Sequence, residues 1–314
     1  MIERPGRRSR SVVDGVLLLD KPAGITSQQA VSRVKALFNA AKAGHTGTLD
    51  PMATGLLPIA LGEATKFSAA LLDASKSYVA TVRLGQTTTT GDLEGEVTMT
   101  RPVAATRTDI EEALAQFRGE ILQTPPMYSA LKRDGKPLYE YARQGVDLPR
   151  EARGVSITEL RVEAYDGTEL RLSVSCSKGT YIRVLAEDIG RALGCGGCLS
   201  ALRRTRVGQL RIDEATTMQA LEEGGEAERR ARLLPVDTML AELPVVELDD
   251  AGAQRLENGM AVQYGCSVET GLVRVYGRRG FLGLAFASEG RLQPRRLVVF
   301  RAANLEKTPT YRVE

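Results

Sequence analysis

The side chains best suited to chemistry crowd into one stretch, Gly44-His45-Thr46-Gly47-Thr48-Leu49-Asp50-Pro51-Met52-Ala53-Thr54-Gly55-Leu56-Leu57-Pro58. It holds the only histidine of the chain, His45, and a carboxylate, Asp50, directly before a proline. Three glycines and two prolines in fifteen residues predict a tightly shaped loop, neither helix nor strand. The proline biases Asp50 towards an extended backbone. Taken alone, an Asp-Pro pair is a turn whose carboxylate caps the backbone. Held in a dry pocket, the same carboxylate is a nucleophile or a general base. A second chemical cluster is Cys195-Gly196-Gly197-Cys198, a pattern of zinc or redox sites. Zinc wants four ligands, and beside His45 only Cys176 and Cys266 remain, so neither metal nor redox work is expected. The chain has no complete dinucleotide fingerprint, no phosphate loop and no deaminase signature.

These residues need a scaffold. The apolar run 16–19 reads as a short strand, and the turn after it leads to a helix capped by Thr26 or Ser27. Ala30, Val31, Val34, Leu37 and Phe38 give that helix its apolar spacing. A long loop is expected over 43–58, a helix over 63–72 and a strand over 77–84. Thr108 and Glu111 form a capping-box pattern. Residues 161–174 alternate around Asp166-Gly167, which predicts a hairpin. A helix follows Tyr181 with Val184, Leu185, Ile189 and Leu193 on one face. Residues 125–153 mix Pro, Gly, Lys, Arg and Tyr and read as a functional insertion or a plain surface loop. A boundary is expected near 241–244. After it, one helix and the runs LVRVYG, FLGLAFA and RLVVF predict a small β-rich module of about 70 residues.

A length of 314 residues suits one large and one small domain. The net charge of +3 does not announce a nucleic-acid binder, so basic residues would have to gather on one side. Candidates are an N-terminal arm over 1–12 (Arg4, Arg7, Arg8, Arg10), the insertion (Lys132, Arg133, Lys136, Arg143) and the tail (Arg274, Arg278, Arg279, Arg295, Arg296). No apolar stretch is long enough to span a bilayer, and no signal-peptide pattern is present, so a cytoplasmic location is expected.

The string GHTGTLDPMATGLLP resembles the signature loop of the TruB family, the tRNA pseudouridine-55 synthases. VLLLDKPAGITS, KSYVATVRLGQTTTTGDLEG, CSKGTYIRVLAEDIG and LSALRRTRVG resemble further motifs of that family, in its order, and the tail resembles its PUA-type module. The likeness runs from about Val13 to about Ala302. It implies an α+β fold, with a pseudouridine synthase catalytic domain on a mixed or antiparallel sheet over 13–243. The segment 125–153 would be its RNA-contacting insertion, and 244–314 a PUA-like RNA-binding domain. It implies isomerisation of a T-loop uridine that has been flipped out of the tRNA. Asp50 would be the nucleophile or base, and Arg183 the cation that keeps it ionised. Tyr78 would stack on the base and assist proton transfer. Tyr181 and Leu202 would wall the pocket, His45 would fill the vacated space, and Lys21 would stand near the loop on the substrate side. No cofactor and no metal are implied. The expected partner is the tRNA T-arm, with a monomer that needs no other protein and no membrane. Two alternatives remain open at this point: an RNA-guided ribosomal RNA pseudouridine synthase, and a non-catalytic tRNA-binding or folding protein.

Overall fold

The computed structural model describes residues 12–265 and 269–299. The expected basic arm, Cys266 and the chain from Phe300 onward lie outside the described residues.

Strand β1 (Gly15–Lys21) is apolar at consecutive positions because both its faces are covered. Leu17 and Leu19 enter one core, while Val16 and Leu18 enter another on the opposite face. Helix α1 (Ser27–Leu37) follows, with Thr26 as its cap and Gln29 closing a capping box. Strands β2 (Ala43–His45) and β3 (Thr54–Leu61) flank the chemical segment. β3 splits its side chains as β1 does: Leu57, Ile59 and Leu61 face the first core, Leu56 and Ala60 the second. β4 (Lys76–Leu84) is central. β5 (Gln86–Thr88) and β6 (Val97–Thr100) form a small ribbon beside it. Helix α2 (Arg107–Ala115) leads to β7 (Gly119–Gln123). The insertion holds β8 (Lys132–Arg133), β9 (Lys136–Pro137) and α3 (Leu138–Ala142). β10 (Arg153–Tyr165) and β11 (Glu169–Cys176) form the expected hairpin, and α4 (Ile182–Ala192) the expected helix. β12 (Gly197–Val207), β13 (Leu210–Arg211) and β14 (Thr216–Thr217) complete the large sheet, followed by α5 (Met218–Glu223) and α6 (Glu226–Ala231). The sheet runs β14-β1-β3-β12-β4-β11-β10-β7 and is mixed: β1 with β14 and β3 with β12 are parallel, the rest antiparallel.

A second sheet has β15 (Val245–Glu247), β16 (Val262–Gln263), β17 (Gly271–Gly277), β18 (Gly280–Ser288) and β19 (Arg291–Leu297), with α7 (Asp250–Glu257) against it. It has its own core around Leu256, Val273 and Leu292. It also closes the second face of the large sheet: Phe281 and Leu284 pack against the cluster of Val16, Leu18 and Phe67. Phe67 and Phe281 meet edge to face at 5.4 Å.

Four expectations need correction. The loop is residues 46–53, not 43–58, because Ala43-Gly44-His45 pair with Ile59–Leu61 and the apolar run from Leu56 extends β3 back to Thr54. The helix expected over 63–72 is two 3-10 turns, Gly62–Lys66 and Ser68–Leu71, broken where Phe67 packs inward. The capping box before α2 is Thr106 with Asp109, two residues earlier than expected, the register that buries Ile110, Ala113 and Leu114. The last strand begins at Arg291 and ends at Leu297, so the expected RLVVF run lies mostly beyond it.

Candidate active site

Buried groups fix the backbone of the 46–53 loop. The Ser27 hydroxyl on α1 accepts from Leu49 N at 2.8 Å and donates to Leu49 O at 2.9 Å. Gly24 N donates to Pro51 O at 2.9 Å. Lys21, wholly buried, donates its Nζ protons to the carbonyls of Ile25 (2.7 Å), Pro22 (2.9 Å) and Pro51 (3.3 Å). Burial pushes its ammonium down to about 8, against the opposing pull of Asp50. From below, Arg204 on β12 donates to Leu56 O at 2.8 Å and Gly47 O at 3.1 Å.

Asp50 stands half-buried on this frame. Its Oδ2 is 3.1 Å from Nε of Arg183, in the first turn of α4. The same Nε lies 3.6 Å from Oδ2 of Asp92, which is 2% exposed. The other two nitrogens of Arg183 donate to Thr90 O at 3.1 Å and to Tyr128 O at 2.7 Å. Two carboxylates thus lie within reach of one guanidinium nitrogen, and each of the other two nitrogens donates to a carbonyl. Burial pushes the Asp50 carboxyl above its ordinary value, Arg183 pulls it down, and Asp92 adds repulsion. The site therefore holds a partly buried carboxylate with its cation fixed beside it.

Sequence reasoning did not single out Asp92. It lies inside the quoted TTTTGDLEG string, where nothing at residue level separates it from Glu94. The structure does: Asp92 is buried, and its Oδ1 accepts from the Thr90 hydroxyl at 2.5 Å and Glu94 N at 3.0 Å. Glu94 is exposed.

Tyr78 on β4 packs half-buried on the first core, opposite Arg204 of β12. Tyr181 caps α4, and its backbone is bracketed by Gln123: Tyr181 N donates to Oε1 at 3.0 Å, and Nε2 donates to Tyr181 O at 3.4 Å. Burial lifts the pKa of both phenols, and the Asp50 carboxylate adds to it in each. Leu202 on β12 is buried in the same core, and its carbonyl accepts from the Thr54 hydroxyl at 3.4 Å. His45 ends β2, with Nδ1 accepting from Gly47 N at 3.3 Å. Burial lowers its pKa, and the Arg204 charge lowers it further, so the ring is neutral near pH 7.

The cysteine pair has a packing explanation. Cys176, Cys195 and Cys198 are buried free thiols. The two glycines between Cys195 and Cys198 let α4 cross the start of β12 backbone to backbone: Gly196 N donates to Gly190 O at 2.8 Å, and a Cβ on Gly190 would lie 2.1 Å from Gly197 N. Among the described residues, no three His, Cys, Asp or Glu side chains group to hold a metal.

The expected basic residues divide. In the insertion, Lys136 lies over Tyr141 at 4.7 Å and Arg143 over Tyr139 at 5.3 Å, both reachable from solvent. In the tail, Arg274 is engaged internally by Asp237 (3.3 Å), Leu243 O and Ala241 O. Among the described residues, no helix is long and apolar enough to cross a membrane.

Three family profiles match in sequence: TruB family pseudouridylate synthase (N terminal domain) over 35–182, tRNA pseudouridylate synthase B C-terminal domain over 183–241, and Pseudouridine synthase II TruB, C-terminal over 244–298. The tRNA pseudouridine synthase B of Aromatoleum aromaticum is 56% identical, across 93% of this chain and 95% of that protein. That of Burkholderia lata is 54% identical, across 96% and 94%. A chain in the structure of an H/ACA ribonucleoprotein bound to a substrate RNA containing 2'-deoxyuridine superposes with a TM-score of 0.70 at 26% identity, covering 92% of this chain and 86% of that one.

Proposed function

From the premise that this chain belongs to the TruB family of pseudouridylate synthases, we propose that it acts on the T-loop uridine at tRNA position 55 with Asp50 as the reacting carboxylate. It is an isomerase that forms pseudouridine in tRNA. The reaction breaks the N1–C1′ bond, turns the uracil and joins C5 to C1′; C5 loses a proton as N1 gains one, so the composition is unchanged. Asp50 serves as nucleophile or base. The observation that carries this reading is the 3.1 Å pair between Asp50 and Arg183 on a loop tied down by buried groups. Arg183 keeps the carboxylate ionised against burial, and Asp92 adds a second carboxylate beside the same guanidinium nitrogen. Tyr78 stacks on the uracil and exchanges the C5 proton. Tyr181 and Leu202 form the wall that keeps water from the detached base. A neutral His45 suits the apolar space left by the flipped nucleotide. Lys21, wholly buried and donating to three carbonyls, is better cast as an anchor of the loop than as a contact to substrate.

The insertion over 125–153 and the unit from residue 244, a PUA-like domain in this reading, would hold the tRNA arm. The protein would work in the cytoplasm, where its substrate is, as a monomer without partner or cofactor. Identity of 56% to tRNA enzymes against 26% to the H/ACA chain favours a tRNA substrate over guided ribosomal RNA. Purified protein incubated with an unmodified tRNA transcript, and nothing else, tests this. Pseudouridine at the T-loop position is the expected product. Dependence on a guide RNA or a second protein would overturn the reading, as would product at another position.

A further inference from the structure

Arg204 lies where the three central strands meet. On β12 it is the register partner of Tyr78 on β4 and of Gly55 on β3. It is 1% exposed. Beyond its bonds to Leu56 O and Gly47 O, its third nitrogen reaches Thr48 O at 3.5 Å. These carbonyls bracket the segment that carries Asp50. The backbones also touch: Gly55 has φ +101°, and a Cβ there would lie 2.3 Å from Arg204 O. The strand that carries the guanidinium and the end of the Asp50 loop are thus fixed against each other.

A buried guanidinium is costly unless it is paired and hydrogen-bonded. Here backbone carbonyls take the place of a carboxylate, with the Tyr78 phenol beside them as a further polar neighbour. A planar fork of donors can hold several carbonyls at set angles, which a single ammonium cannot do. The guanidinium charge also acts on two other parts of the site, lowering the pKa of the His45 ring and opposing the rise that burial causes at the Tyr78 phenol.

We propose that Arg204 is a positioning residue for the isomerisation: its guanidinium shapes the turn from Gly47 to Leu56 from beneath and so sets where Asp50 stands relative to Tyr78. The proposal rests on Asp50 being the reacting carboxylate. It makes Arg204 a determinant of rate, not of tRNA affinity, because its side chain is shut away from any bound RNA.

The test compares Arg204→Met, Arg204→Lys and Asp50→Asn with the unaltered protein, under saturating enzyme and single turnover. Folded fraction is read by circular dichroism and tRNA affinity by filter binding. Arg204→Met should lower the rate constant at least about 100-fold, with affinity changed less than about threefold. Arg204→Lys keeps the charge and loses the fork, and should fall between. A role in stability alone would lower the amplitude of product formed and leave the rate constant of the folded fraction untouched. A rate constant within threefold of the unaltered protein in the lysine variant overturns the proposal, and that variant decides the matter where the methionine variant does not fold. If Asp50→Asn turns over normally, it is the catalytic reading that fails; if Asp50→Asn is inert and the Arg204 variants are normal, only this inference fails.

Discussion

Asp50 and the carbonyl of Tyr128 reach Arg183 from two segments that read alike in sequence and are built differently. Both are rich in Gly and Pro. The segment 46–53 is held by three buried side chains, Ser27, Lys21 and Arg204, that supply polar atoms to its backbone. In 125–153 only Pro125, Ser129 and Leu138 are buried, and much of its side-chain bonding stays within the segment. The first is preorganised at the cost of burying polar groups. The second has few buried contacts to resist its movement, which suits the RNA-contacting role proposed for it. Chemistry needs the former, and recognition of a folded RNA gains from the latter.

Four measurements would break or sharpen this contrast. Asp50→Asn keeps size and loop but removes the carboxylate; single-turnover rate should fall by roughly 10⁴-fold or more while tRNA binding persists. Measurable product at the first time point would sink Asp50's role. Arg183→Met comes next, with a loss of about 10²- to 10³-fold. Its pH profile carries more. Burial raises the Asp50 pKa, and Arg183 is the strongest opposing influence. Removing Arg183 lifts that pKa further. The reaction needs the ionised form, so the acid limb of the residual activity should move to higher pH. An unmoved limb means that Arg183 does not act on Asp50.

Ser27→Ala takes away both partners of Leu49 in a buried place and should cost ~1–3 kcal/mol in a denaturant melt. It should also slow the folded enzyme by about tenfold. A lowered melting point with unchanged rate would show that the pin stabilises without positioning. The smallest effect on chemistry belongs to the insertion. Lys132→Ala with Arg143→Ala should weaken tRNA binding and flatten the log–log salt dependence by about 0.7–0.9 per lost phosphate contact. The rate at saturating enzyme should not change. A slower bound-state rate would place the insertion inside the catalytic frame, acting through Tyr128.

Local patterns were legible where one short-range force decides. The hairpin at Asp166-Gly167 and the capped helix after Thr26 follow from turn chemistry and spacing. Motif order carried the resemblance that named Asp50 and Arg183, and their contact then needed the fold. What stayed hidden depends on long-range burial. β3 reaches back to Thr54 because Leu56 and Leu57 each have a core to fill, one on either face. The 3-10 break at Phe67 answers to Phe281, more than two hundred residues further along the chain. Arg203 and Arg204 are adjacent and identical in type, yet one pairs with Asp20 near the surface while the other is sealed beneath Asp50. The strand's alternation assigns them to opposite faces, and only the sheet order says which face hides a charge.

The seam between the two sheets has a consequence of its own. Lys66 donates to Leu297 O, Val299 N donates to Glu63, and both Tyr276 and Arg274 grip Asp237. With the aromatic contact of Phe67 and Phe281, these bonds leave no free hinge there. An RNA touching both sheets meets landmarks at a set span.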